Sequence, residues 1–259
     1  MPVYDVLLPH LLPMGVVLSR LAGIFIFAPV VGGLSIPARV KVLLAFGMTL
    51  LVYPTVDHSA IMPMELDLIM LAPMLLGEML VGLSIGLLAS IPILSVQMGG
   101  MLMGKQMGLA LASVFNPALD LETDVIGQLL LYMGLIFFIM LGGVEFMFLA
   151  VAESFAAVPP GAMTLASSPL ELLVGMIEAG YELAFRVAAP VLCLLMLEKL
   201  TSGFIMKTIP QINILSFGFP IKVMLGIVTL IASLTVIGEV TEVGVEEGIL
   251  VALEWARTL

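Results

Sequence analysis

Arg20, Glu78, Glu145, Glu178, Glu182 and Arg186 each interrupt a long hydrophobic run of the chain. Charges in such places bind ions, relay protons or lock helices together, because an ionised group at mid-bilayer costs at least ~2.5 kcal/mol. Glu178, Glu182 and Arg186 fall at four-residue steps and share one helical face, where Glu182 before Arg186 is the favourable order for a self-neutralising pair. Arg20, Glu78 and Glu145 have no such neighbour and need partners from elsewhere. With Glu182 and Arg186 they would cost on the order of ten kcal/mol if left facing lipid. An ion-coupled solute carrier is one reading of these acids, but it predicts paired broken helices in two matching halves, and the halves here are unequal. Hydrolytic chemistry finds no support, since no Ser/His dyad, paired acids of the GxGD kind or HExxH occurs. His10 and His58 lack ligands at metal spacing, and no cofactor is implied. Cys193 stands alone in an apolar run and reads as a small core residue.

A different kind of site lies in Gln97–Asp124, QMGGMLMGKQMGLALASVFNPALDLETD. Gly100, Gly104, Gly108 and Ala112 recur every four residues, so a helix there offers one smooth face to another backbone. Met98, Met101, Met103 and Met107 surround it with soft thioethers. Gln97, Lys105 and Gln106 add polar groups that need partners in lipid. Phe115-Asn116-Pro117 is expected to break the helix, because proline lacks an amide hydrogen and restricts the residue before it. Such a segment suits a deformable, protein-lined passage. On spacing alone a close-packed helix pair with methionine filler is the commoner arrangement in membranes.

The elements that position these residues are membrane helices. Of 259 residues, 61% are hydrophobic and 11% charged, and the mean hydropathy is +1.24; soluble domains run near 45–50% and about 25%. One tryptophan and four tyrosines make a thin aromatic belt, so much of the surface is expected to face protein. Nine basic residues against a net charge of −10 exclude nucleic-acid binding. Six apolar segments are expected, at Leu11–Val31, Val42–Val56, Leu66–Leu94, Val125–Ala152, Leu172–Leu197 and Ile221–Ile237. The second would rise about 22 Å as a helix, short of a ~30 Å core. The third is too long, with Pro73 and Pro92 expected to bend it. Glu239, Glu242 and Glu246 group on one side of a helical acidic tail. The opening residues lack a basic region and an A-x-A-like site, and read as the lead-in to a retained first span.

Arg39, Lys41, Lys105, Lys199, Lys207 and Lys222 fall in alternate connections, while 57–67 and 153–171 hold no lysine or arginine. The positive-inside rule then places the first set in the cytoplasm and both termini outside.

RLAGIFIFAPVVGGLSIPARVKVLLAF (20–46), Gly77-Glu78, the Gln97–Pro117 stretch with its FNP ending, Gly127-Gln128, VPPG (158–161) and IPQINILSFGFPIKVMLG (209–226) occur in this order. In order and spacing they resemble the FliR/SctT family of type III secretion export-gate membrane proteins, over nearly the whole chain. The resemblance implies an all-α membrane protein in which a FliP-like part, residues 1–170, is fused to a FliQ-like helical hairpin, residues 171–259. It implies a non-enzymatic subunit of the flagellar protein-export gate in the bacterial inner membrane, assembled with FliP-like and FliQ-like subunits in a ring that largely rises out of the bilayer plane. Unfolded export substrates would pass through that ring; the injectisome counterpart is the nearest alternative. By the same resemblance Leu109, Leu111, Val114, Phe115, Asn116 and Pro117 form a channel plug, with apolar rather than multiply aromatic sealing. Met98, Met101, Met103 and Met107 are assigned to a constriction, and Gly100, Gly104 and Gly108 to close packing. Arg20, Glu78, Lys105, Glu145, Glu182 and Arg186 are assigned to buried or intersubunit charge. Lys207, Gln211, Asn213 and Lys222 align with the cytoplasmic turn that approaches FlhB- and FlhA-like proteins.

Overall fold

A computed structural model describes residues 3–33, 36–56, 68–109, 124–161, 170–208 and 214–259. The described residues form seven α-helices: α1 (Val3–Phe27), α2 (Ala38–Val52), α3 (Leu68–Met107), α4 (Val125–Met140), α5 (Gly143–Ala157), α6 (Leu170–Thr208) and α7 (Ile214–Thr258). A short 3₁₀ turn, Tyr53–Thr55, extends α2. An apolar chain in lipid must satisfy its backbone internally, and helices do so within each segment. Four helices are long and apolar enough to cross a bilayer, or five spans if the bent α4–α5 pair counts as one.

Several expectations change here. Helix α3 is one 40-residue element that runs through Pro73 and Pro92. The single segment expected at Val125–Ala152 is two helices meeting at 62°. The cause is local: Gly142 has φ 73°, a conformation that side chains with a Cβ resist. Helix α6 has 39 residues but is not among the span-competent helices of the described residues. Cys193, expected in the core, is exposed.

The chain divides into two compact units. The first comprises Met1–Ile91, Phe138–Ile177 and Glu246–Leu259. Its helices α1 and α3 cross with backbones in contact: a Cβ on Gly82 would lie 1.8 Å from the Arg20 carbonyl oxygen, and one on Gly23 2.3 Å from that of Met79. Glycine at both positions is therefore a packing requirement. The C-terminal end of α7 joins this unit through Arg257, which grips the carboxylate of Glu153, with Nη2 to Oε1 at 3.0 Å. His10 meets the Tyr53 hydroxyl at 2.7 Å.

The second unit comprises Pro92–Phe137 and Glu178–Val245. Its core gathers Val96, Met103, Met107, Leu130, Val191 and Leu195 from three helices. Both units draw on chain from either side of residue 170.

Candidate functional site

The most extensively hydrogen-bonded buried cluster among the described residues lies in the first unit. Arg20 on α1 and Glu78 on α3 are both fully buried, with Nε donating to Oε2 at 2.6 Å. Guanidinium Nη1 donates to the Ser154 carbonyl at 2.9 Å and to its hydroxyl at 3.1 Å, and Nη2 to the Val158 carbonyl at 3.1 Å. The second carboxylate oxygen, Oε1, accepts the Gly161 amide at 2.8 Å. The Phe155 ring lies under the guanidinium, 4.2 Å from Cζ to centroid. Gly161 has φ 84°, so the turn that closes α5 uses a conformation open to glycine. Non-helical backbone buried among helices needs donors and acceptors from its surroundings. Arginine suits this task because its planar fork points several N–H groups in fixed directions.

Partners for Arg20 and Glu78 are thus found in one another, 58 residues apart, inside the same chain. Sequence reading flagged both residues and the VPPG run but had no signal that joined them. Chemically the cluster is a clamp. Both oxygens of Glu78 are engaged by fixed donors, so its geometry does not favour a carrier's mobile ion site. Glu145 is exposed and makes no ion pair or hydrogen bond among the described residues. Glu182 and Arg186 form the expected i,i+4 pair at 2.6 Å, with 64% and 67% of each side chain exposed. No group of three metal-ligating side chains occurs among the described residues.

The glycine- and methionine-rich stretch occupies the last turns of α3. Gly100 does what its spacing predicts: a Cβ there would lie 2.6 Å from the Gly127 Cα of α4. A Cβ on Gly99 would lie 2.8 Å from the Ala184 carbonyl oxygen of α6. Met103 and Met107 are fully buried in the core of the second unit, while Met98 and Met101 are half-buried. Met107 also fills the space left by Gly226, whose Cβ would lie 2.6 Å from the methionine Cγ. Lys105 is exposed.

The helix ends earlier than Phe115. Gly108 has φ 84°, its amide bonds the Lys105 carbonyl at 3.1 Å, and the Leu109 amide reaches the Gly104 carbonyl at 3.1 Å. Those two bonds form a Schellman stop, with Gly108 in the left-handed position. Gly108 therefore ends α3; of the other two glycines in the repeat, Gly100 faces the α4 backbone and Gly104 faces the Asp124 side chain. Of the expected plug, Leu109 is exposed; Leu111, Val114, Phe115, Asn116 and Pro117 lie outside the described residues, as do Gln211 and Asn213 of the cytoplasmic turn. Lys207 is exposed and Lys222 half-buried.

Sequence reasoning missed Asp124. Its carbonyl accepts the first bond of α4, from Gln128 at 2.9 Å, and its carboxyl folds between two glycines. A Cβ on Gly104 would lie 2.7 Å from Oδ1, and one on Gly127 2.0 Å from Oδ2. Oδ2 is buried and has no hydrogen-bond partner among the described residues. An aspartate directly before an apolar helix is the available signal, since Asp is a favoured N-cap.

Long charge-interrupted helices, close glycine crossings and a buried arginine clamp define an all-α membrane protein built for tight helix packing. The chain belongs to the family described as bacterial export proteins, family 1, which it matches over residues 11–248. It is similar to the flagellar biosynthetic protein FliR of Bacillus subtilis, 28% identical over 85% of each chain. FliR of Escherichia coli is 25% identical over 87% of this chain and 85% of its own. The secretion system apparatus protein SsaT of Salmonella typhimurium is 29% identical over 61% of each.

Proposed function

We propose that this chain is a non-enzymatic subunit of the flagellar type III export gate in the bacterial inner membrane, and that it helps close a conduit for unfolded proteins. Family membership across residues 11–248 is the observation that carries this reading. Several FliR relatives match over 82–87% of the chain, against 61% for SsaT, which favours flagellar over injectisome use. Replacing FliR of Escherichia coli with this chain and scoring motility separates the two systems.

FliP-like and FliQ-like subunits are the partners we propose, with residues 1–170 and 171–259 as the corresponding parts. Helix α6 supports a protein-covered surface: Tyr181 and Phe185 are exposed beside Glu178, Glu182 and Arg186. That face is too charged for lipid and too apolar for water. The connection at Lys207, Gln211, Asn213 and Lys222 would meet FlhB- and FlhA-like proteins. The half-buried Met98 and Met101, backed by Met103 and Met107, would line the constriction. Thioethers yield to a passing chain and close again without fixed polar geometry, and an apolar constriction resists water and ions by dewetting. Leu109 to Pro117 would be the plug. Shortening that stretch is expected to make the inner membrane permeable to ions and small solutes; a membrane that stays tight removes the plug.

Both termini would lie outside the cytoplasm on this reading. The Arg257–Glu153 and His10–Tyr53 contacts support this, because each ties a terminal region to the neighbourhood of a connection without basic residues.

A further inference from the structure

We infer that the Asp124 carboxyl is a peg that positions the start of α4 against the end of α3, with Gly104 and Gly127 as its socket. The two glycines come from different helices, and both leave the space that the carboxyl fills. Among the described residues, the peg is what a methyl group on Gly104 would meet within 4 Å: Asp124 Oδ1 at 2.7 Å and Cγ at 3.8 Å. Gly104 is therefore glycine on account of one side chain, whereas Gly100 makes room for backbone. Seated this way, Oδ2 has given up water without gaining a donor. A buried acceptor without a donor is unfavourable, and the N-terminal end of α4 offsets part of that through its positive dipole. A group held at such a disadvantage is there for shape. Asp124 and Gly104 fix the distance between the two chain ends that bracket the proposed plug, so the positioning role rests on the gate reading above.

The test uses the complex purified with its co-expressed partners and reconstituted in phosphatidylethanolamine–phosphatidylglycerol vesicles loaded with potassium chloride. Asp124→Ala removes the peg and Gly104→Ala expels it, so each is expected to raise potassium efflux severalfold while the yield of assembled complex is unchanged. The double variant is expected to leak no more than Asp124→Ala alone, because both changes act through the same carboxyl. Asp124→Asn keeps the shape, and the vesicles should stay tight. Efflux that multiplies in the double variant, or an Asp124→Ala complex as tight as the parent, overturns the inference. If the variants fail to assemble, thermal unfolding of the detergent-extracted chain decides: additive losses in the double variant overturn the shared contact, and non-additive losses support it. Failure of the gate reading itself shows separately, as tightness after shortening Leu109–Pro117.

Discussion

A buried arginine is affordable when every direction of its guanidinium finds an acceptor, and Arg20 meets that condition through Glu78, Ser154 and Val158. Removing one member of such a pair strands the other, which typically costs about 3–5 kcal/mol. We expect Glu78→Ala to lower unfolding stability in detergent by about that amount, and Arg20→Met with Glu78→Leu to lose less than Glu78→Ala alone. Arg20→Lys keeps the charge but not the fork, so it should fail to restore the turn at Val158–Gly161; proteolytic sensitivity after α5 reports that loss. The oddity of both residues was legible in the sequence, since charges inside apolar runs stand out. Their partnership was not, because 58 residues separate them and no local periodicity encodes a contact made by the crossing of α1 and α3.

Two glycines with opposite roles give the sharpest test of helix packing. Gly82→Ala would drive a methyl group to within 1.8 Å of the Arg20 carbonyl oxygen. The helices must part, and overpacking of this kind costs typically about 1–3 kcal/mol or more. Among the described residues, nothing lies within 4 Å of a would-be Cβ on Gly47 of α2, so Gly47→Ala is expected to raise thermal stability, by roughly 0.5–1 kcal/mol from helix propensity. Circular-dichroism melts of the two variants check both signs. Helix positions were readable from apolar runs, but their ends were less so. The apolar run ends at Leu94, yet the helix that contains Pro92 continues to Met107. Gly142, with its positive φ, divides α4 from α5, and nothing in the apolar pattern of 125–152 marks that break. Gly108 fell on the glycine repeat, and its role as a stop depends on bonds from residues 108 and 109 that spacing alone does not reveal.

Across the whole chain, apolar surface remains exposed on helices that also carry charge, as at Phe185 beside Arg186. A bilayer does not suit that mixture, and sister subunits would. Composition made the membrane class legible at once, and ordered motifs made the family legible. The clamp and the peg were hidden because each depends on side chains from separate helices meeting in three dimensions. Extraction from the native membrane in mild detergent, followed by mass measurement of the intact particle, tests the central claim most directly. The account predicts one defined particle that contains this chain together with several FliP-like and FliQ-like chains. Recovery of a solitary chain that carries a small solute across vesicle membranes by itself would contradict it.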